Sequence, residues 1–152
     1  MKFESKIKPV PYNQSAIYAK ISDLTNLEII KERMDDPRLQ EQIPEDKRQA
    51  ARDAINQMEF TTDTVSGPVG PIGKVAVKIV EREPEKCVKF ASTSAPISFK
   101  LWIQVLPTSD TTSKIKVTID ADINIFMKAM LEKPLTQGVD KFADMLAMIP
   151  YN

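Results

Sequence analysis

The chain has 152 residues, 42% of them hydrophobic and 28% charged, with Lys+Arg and Asp+Glu balanced at 21 each. That is long enough for one domain to bury a core without metal or disulfide staples, and a neutral chain with no basic block argues against phosphate-backbone binding as the main task. The absence of histidine removes Ser-His and Cys-His nucleophilic catalysis, histidine-bearing zinc sites and the commonest general base near neutral pH.

The opening "MKFESKIKPVPYNQ" has no apolar run and no small-residue cleavage site, so no signal peptide is expected. No stretch approaches the ~18 apolar residues of a membrane-spanning helix. Cys87 is the single cysteine, which leaves no internal disulfide and suits a reducing compartment. A cytoplasmic location, without stable membrane insertion, is the expectation.

Residues 2–8 alternate, placing Phe3, Ser5 and Ile7 on one face of a strand that Pro9 and Pro11 should end. Asn13 is positioned to cap a helix carrying Ile17, Tyr18 and Ile21. Thr25 and Glu28 have capping-box spacing at the start of a second helix, with Leu24, Leu27, Ile30 and Met34 at helical intervals. "EDKRQAARDAINQM" predicts a third helix with a thin apolar edge, inside a helical insert at about 35–57.

From residue 58 the period changes to two. "MEFT" and "TVSGPV" read as short strands, and "GPIG" as a turn. "KVAVKIVERE", "KCVKFAST", "PISFKLWIQVL" and "KIKVTIDADIN" follow, each with an apolar face such as Phe99, Leu101, Ile103 and Val105. Six strands joined by connections too short for crossover helices must be antiparallel. With the first strand they form a seven-stranded sheet whose apolar face needs a cover. The terminal helix supplies it, with a stripe running Met127, Leu131, Leu135, Gly138, Phe142, Met145 or Leu146, and Ile149.

"VPYNQSAIYAKISDL", the hairpin "KIVEREPEKCVKFAS", the longer hairpin "FKLWIQVLPTSDTTSKIKVTID" and the closing helix 124–149 together resemble the SRPBCC/START-like superfamily, which includes polyketide cyclase-like and Bet v 1-like proteins. The resemblance implies an α+β helix-grip fold in a single domain over 1–152. A curved seven-stranded antiparallel sheet would wrap a long C-terminal helix, with two or three shorter helices after the first strand. It also implies a cavity between helix and sheet for a lipid, polyketide or aromatic ligand. It brings no shared catalytic residue, metal or cofactor to carry over.

Expected ligand-lining residues are Phe90, Phe99, Leu101, Met127, Met130, Leu131, Gly138 and Phe142. Met is flexible and polarizable, so methionines 127, 130, 145 and 148 are either an adaptable ligand wall or filler of an irregular core. Pro134 and Gly138 sit mid-helix, where Pro costs roughly 3 kcal/mol and Gly roughly 1; they either bend the helix over a cavity or break it in two. "SGPVGPIG" is either a lid or a rigid turn. Trp102 falls on the outer face and either packs under the insert or marks a homodimer patch. Cys87, Asp120, Asp122 and the Glu81–Glu85 turn are read as solvated or incidental.

The favoured expectation is noncatalytic binding or transport of a small hydrophobic ligand, driven by apolar burial at about 25 cal/mol per Å². The alternatives are a cyclase-, dehydratase- or hydrolase-type enzyme using a buried carboxylate of raised pKa, and a protein-interaction module.

Overall fold

The computed structural model describes residues 1–33, 37, 41, 43–69, 73–95, 97–149 and 151. Among these, eight strands form one antiparallel sheet: β1 (Lys2–Glu4), β2 (Lys8–Val10), β3 (Glu59–Phe60), β4 (Thr64–Val69), β5 (Gly73–Glu83), β6 (Cys87–Ser94), β7 (Phe99–Pro107) and β8 (Ser113–Ala121). The spatial order is β1-β8-β7-β6-β5-β4-β3, with β2 also paired to β8. The short helices are α1 (Gln14–Ile21), α2 (Ile29–Arg33) and α3 (Arg48–Asn56), and α4 (Ile125–Met148) closes the chain.

The eighth strand arises because the expected first strand is split. Glu4 pairs with Thr118 and Lys8 with Ile115, so residues 5–7 face only 116 and 117, and one residue bulges out. Ser5 bridges the irregularity. Its N–H donates to Val117 O at 2.8 Å, and its Oγ accepts from Val117 N at 2.9 Å. Ile7 is therefore 53% exposed rather than inward. Pro9 does not end the strand but pairs with Lys114 on the sheet edge, where its missing N–H costs nothing.

Asn13 caps α1 as its side chain predicts, accepting from Ala16 N at 2.8 Å. Ile17 and Ile21 are buried as α1 packs on β6 and β7. The capping box expected at Thr25 and Glu28 does not form. Asp23 is the cap instead, accepting from Thr25 N at 3.1 Å and Thr25 Oγ1 at 2.7 Å, and it starts a 3₁₀ turn over Leu24–Glu28. Of the insert, residues 34–36, 38–40 and 42 lie outside the described residues, as do 70–72 of the "GPIG" turn. Ser66–Val69 are part of β4, as the strand reading of "TVSGPV" expects, so this part of "SGPVGPIG" is strand rather than lid or turn.

The β5–β6 turn is not merely solvated. Lys86 N donates to Glu83 O at 3.0 Å, with Glu85 at φ +66 in the left-handed region a type II turn requires. Glu85 then docks on the start of α1: Gln14 Nε2 donates to its carbonyl at 3.1 Å and Ser15 Oγ to its carboxylate at 2.6 Å.

Helix α4 runs unbroken through Pro134, capped by Asn124, whose Oδ1 accepts from Met127 N at 2.9 Å. It lies against β1, β2 and β8. Its buried line is Leu135, Val139, Ala143 and Leu146, followed by Ile149, about one position round from the expected stripe. The second half of the helix is clasped to the sheet edge. Asp140 accepts from Lys6 N at 2.8 Å, and Lys8 Nζ reaches Asp140 at 3.2 Å and Asp144 at 2.9 Å. Beyond the helix, the Tyr151 hydroxyl donates to Leu146 O at 2.6 Å, and its ring meets Tyr12 edge-on at 5.7 Å.

Candidate functional site

The sheet and helix do not meet along their whole length. At the β2 end of the sheet, Val10, Ile103, Val105, Ile115 and Val117 are 0–1% exposed in a close-packed core with Ile17, Ile21 and Leu146. Toward the β3 end the same inward face is hollow, around a cavity of about 330 Å³. That is the lower end of the usual range for small-molecule sites.

Three parts of the chain build it. The sheet contributes Phe60, Val65, Gly67, Val75, Val77, Phe90, Phe99, Leu101, Ile119 and Ala121, with Ile97 just before β7. The helical segment contributes Leu24 and Leu27 from the 3₁₀ turn and Met58 from the end of the insert. Helix α4 contributes Pro134, Leu135, Gly138, Val139 and Phe142. Gly138 is exposed as well as lining, and a Cβ there would meet nothing within 4 Å. The cavity therefore reaches solvent beside Gly138.

Of the expected lining residues, Phe90, Phe99, Leu101, Gly138 and Phe142 come together around this cavity. Met127, Met130 and Leu131 do not line it. Met130 is 77% exposed, beside Phe126 at 82% and Ile125 at 74%, and Leu131 packs partly buried against the core. The rotation of the helix explains this, since the buried line begins at Leu135. None of the four helix methionines is in the wall; among the described residues the methionine that is, Met58, precedes β3. Gly138 lies at the rim of the buried stripe rather than within it. The missed residues Val75, Val77, Ile119 and Ala121 sit on strand faces already read as apolar, and Leu24 and Leu27 on the helical intervals already noted.

Every lining residue among the described residues is apolar, so none of these carries an ionisable or hydrogen-bonding side chain. The ionisable groups lie elsewhere. Asp120 binds the N-terminal amine at 3.2 Å on the sheet edge. The Cys87 thiol is half-buried, and burial, followed by Glu83 and Glu81, raises its pKa, which disfavours the thiolate. Among the described residues no cluster of His, Cys, Asp or Glu has the makings of a metal site. Trp102 lies on the outer face of β7, half-buried between Lys89 Nζ at 5.4 Å and Lys2 Nζ at 5.9 Å from its ring. No helix of the described residues is long and apolar enough to cross a membrane.

By sequence, the chain matches no protein-family model and no curated protein. Structural likeness is extensive. A START superfamily protein from Mycobacterium smegmatis aligns over 96% of this chain and 94% of its own, with TM-score 0.61 and 9% identity. The fold is START-like. Norcoclaurine synthase from Thalictrum flavum, in complex with dopamine and hydroxybenzaldehyde, aligns over 97% of this chain and 84% of its own, with TM-score 0.61 and 15% identity. The protein XoxI from Bacillus cereus aligns over 96% and 92%, with TM-score 0.56 and 10% identity. These START-like and Bet v 1-like neighbours share the α+β helix-grip plan of a curved antiparallel sheet and a long C-terminal helix. At such identities the likeness concerns the fold alone.

Proposed function

We propose that the protein is a noncatalytic binder or carrier of a small hydrophobic ligand, held between α4 and the sheet. The observation that carries this is a solvent-reaching cavity of about 330 Å³ whose described lining side chains are all apolar. A wall of four phenylalanines and aliphatic side chains releases water favourably when apolar surface replaces it. Phe90, Phe99, Leu101, Gly138 and Phe142 are the proposed contacts among the sequence-expected set, joined by Met58, Val77 and Ile119.

The START-like fold also houses enzymes, as norcoclaurine synthase shows. Acid–base chemistry in this cavity would need a carboxylate, lysine or tyrosine on its wall, and the described lining residues include none. The binding reading is therefore preferred.

Fluorescence titration with diphenylhexatriene tests it. Saturable binding is expected, and it should be lost in Leu101→Trp, which fills the cavity, while secondary structure by circular dichroism is retained. Binding of the same strength in a folded Leu101→Trp protein would place the probe elsewhere and refute the site.

A further inference from the structure

Along Phe90, Leu101 and Ile119 the cavity's inner wall offers a ligand no hydrogen bond. Phe90 pairs with Leu101, and Leu101 pairs with Ile119, on strands flanked on both sides. Their backbone N–H and C=O groups are spent in the ladders, and their side chains have none to give. No cation lies among the described lining residues, so a carboxylate carried inward would lose its water without gaining a partner.

We propose that the cavity selects a neutral hydrocarbon skeleton (alkyl, terpenoid or fused-aryl) and rejects relatives that place a hydroxyl, amine or carboxylate inside. Polar groups are accommodated only at the mouth beside Gly138. The inference rests on the binding function proposed above and narrows it. It separates this cavity from one that takes a catecholamine and a phenolic aldehyde, the molecules bound to the START-like norcoclaurine synthase. An apolar site rejects an added hydroxyl by about a hundredfold at most, so a tenfold to hundredfold preference is the expected size.

The test is calorimetric titration of the protein with naphthalene, 2,6-dihydroxynaphthalene and 2,6-naphthalenedicarboxylate at neutral pH; the two polar groups of each derivative lie at opposite ends, so one at the mouth forces the other inside. Naphthalene should bind at least tenfold more tightly than the diol, and the dicarboxylate should be weakest. Val77→Thr and Ala121→Ser each add one hydroxyl to the wall with little change of volume, and either should narrow the naphthalene-to-diol gap severalfold. The diol binding as tightly as naphthalene to the wild type would overturn the inference and leave hydrophobic binding standing. An unchanged gap in both folded variants would also overturn it. If none of the three compounds binds, the inference falls together with the function it rests on.

Discussion

Met58 lies directly across Gly67: a Cβ at position 67 would stand 2.7 Å from Met58 Cγ and 3.1 Å from Met58 Cα. Both residues line the cavity. The contact holds the end of the helical insert down on β4, since Met58 leads directly into β3 and Glu59 pairs with Ser66. A methionine tip can swing aside, but its own Cα cannot, so Gly67 is required by close approach rather than by a special backbone angle.

Gly67→Ala is accordingly expected to cost about 1–3 kcal/mol, the usual range for overpacking. Met58→Ala removes the Cγ contact, so the double variant should lose less than the two single losses combined. Urea unfolding of the four proteins measures this. Strict additivity would mean the two residues do not meet as described.

Gly138→Leu separates a cavity mouth from a packing contact. A Cβ there meets nothing within 4 Å, and leucine is a better helix former than glycine by roughly 0.8 kcal/mol. The variant should be as stable as the wild type or slightly more so, yet bind diphenylhexatriene at least tenfold more weakly. Gly138→Ala should bind normally. An unfolded Gly138→Leu protein, or one with undiminished binding, would contradict the opening at this residue.

The Lys8–Asp140–Asp144 clasp gives stability a defined pH dependence. Burial pushes the Asp140 carboxyl up, but hydrogen bonds from Lys6 N–H and Lys8 outweigh it, and its pKa lies below the ordinary value. The stability it contributes is present above the unfolded value of about 3.9 and fades as pH falls through the lower folded one. For Lys8, burial lowers the pKa, but the hydrogen bonds to Asp144 and Asp140 prevail and raise it. That contribution is full below about pH 10.4 and is lost as pH climbs through the raised value. Asp140→Ala should lose about 1–2 kcal/mol at pH 7, a partly exposed pair with one backbone donor left unserved. The difference from wild type should shrink below pH 3. Equal differences at pH 7 and pH 2.5 would show that charge plays no part in the clasp.

Tyr151 secures the end of α4 by its hydrogen bond to Leu146 O. Burial raises its pKa well above that of free tyrosine, so an unfolded chain releases this proton first. Stability should therefore fall as pH rises past about 10. Tyr151→Phe should cost about 1 kcal/mol at pH 7 for the lost bond and show a weaker alkaline decline. Parallel alkaline curves for the two proteins would contradict the buried, hydrogen-bonded hydroxyl.

Strand faces were legible because period two is unambiguous over long runs: Phe99, Leu101, Ile103, Val105, Ile115, Val117 and Ile119 all point inward. What periodicity could not tell is which end of that face is filled. Ile103 and Phe99 belong to one alternation, yet the first is packed solid and the second borders a void, because the fillers, Ile17, Ile21 and Leu146, come from distant parts of the chain. On α4 the stripe was read one position off. Apolar residues surround much of the first three turns, including the exposed Ile125, Phe126 and Met130, and spacing alone does not choose among overlapping stripes. The split of the first strand depends on Ser5 using its side chain as a backbone acceptor, which alternation does not reveal.

The most direct measurement is native mass spectrometry of the protein isolated from its own cells, followed by organic extraction of whatever it carries. Ligand binding in the cavity predicts a small, low-polarity molecule bound at one per chain in the wild type and absent from Gly138→Leu. A wild-type protein of bare mass that also takes up nothing from a total lipid extract of the same cells would contradict it.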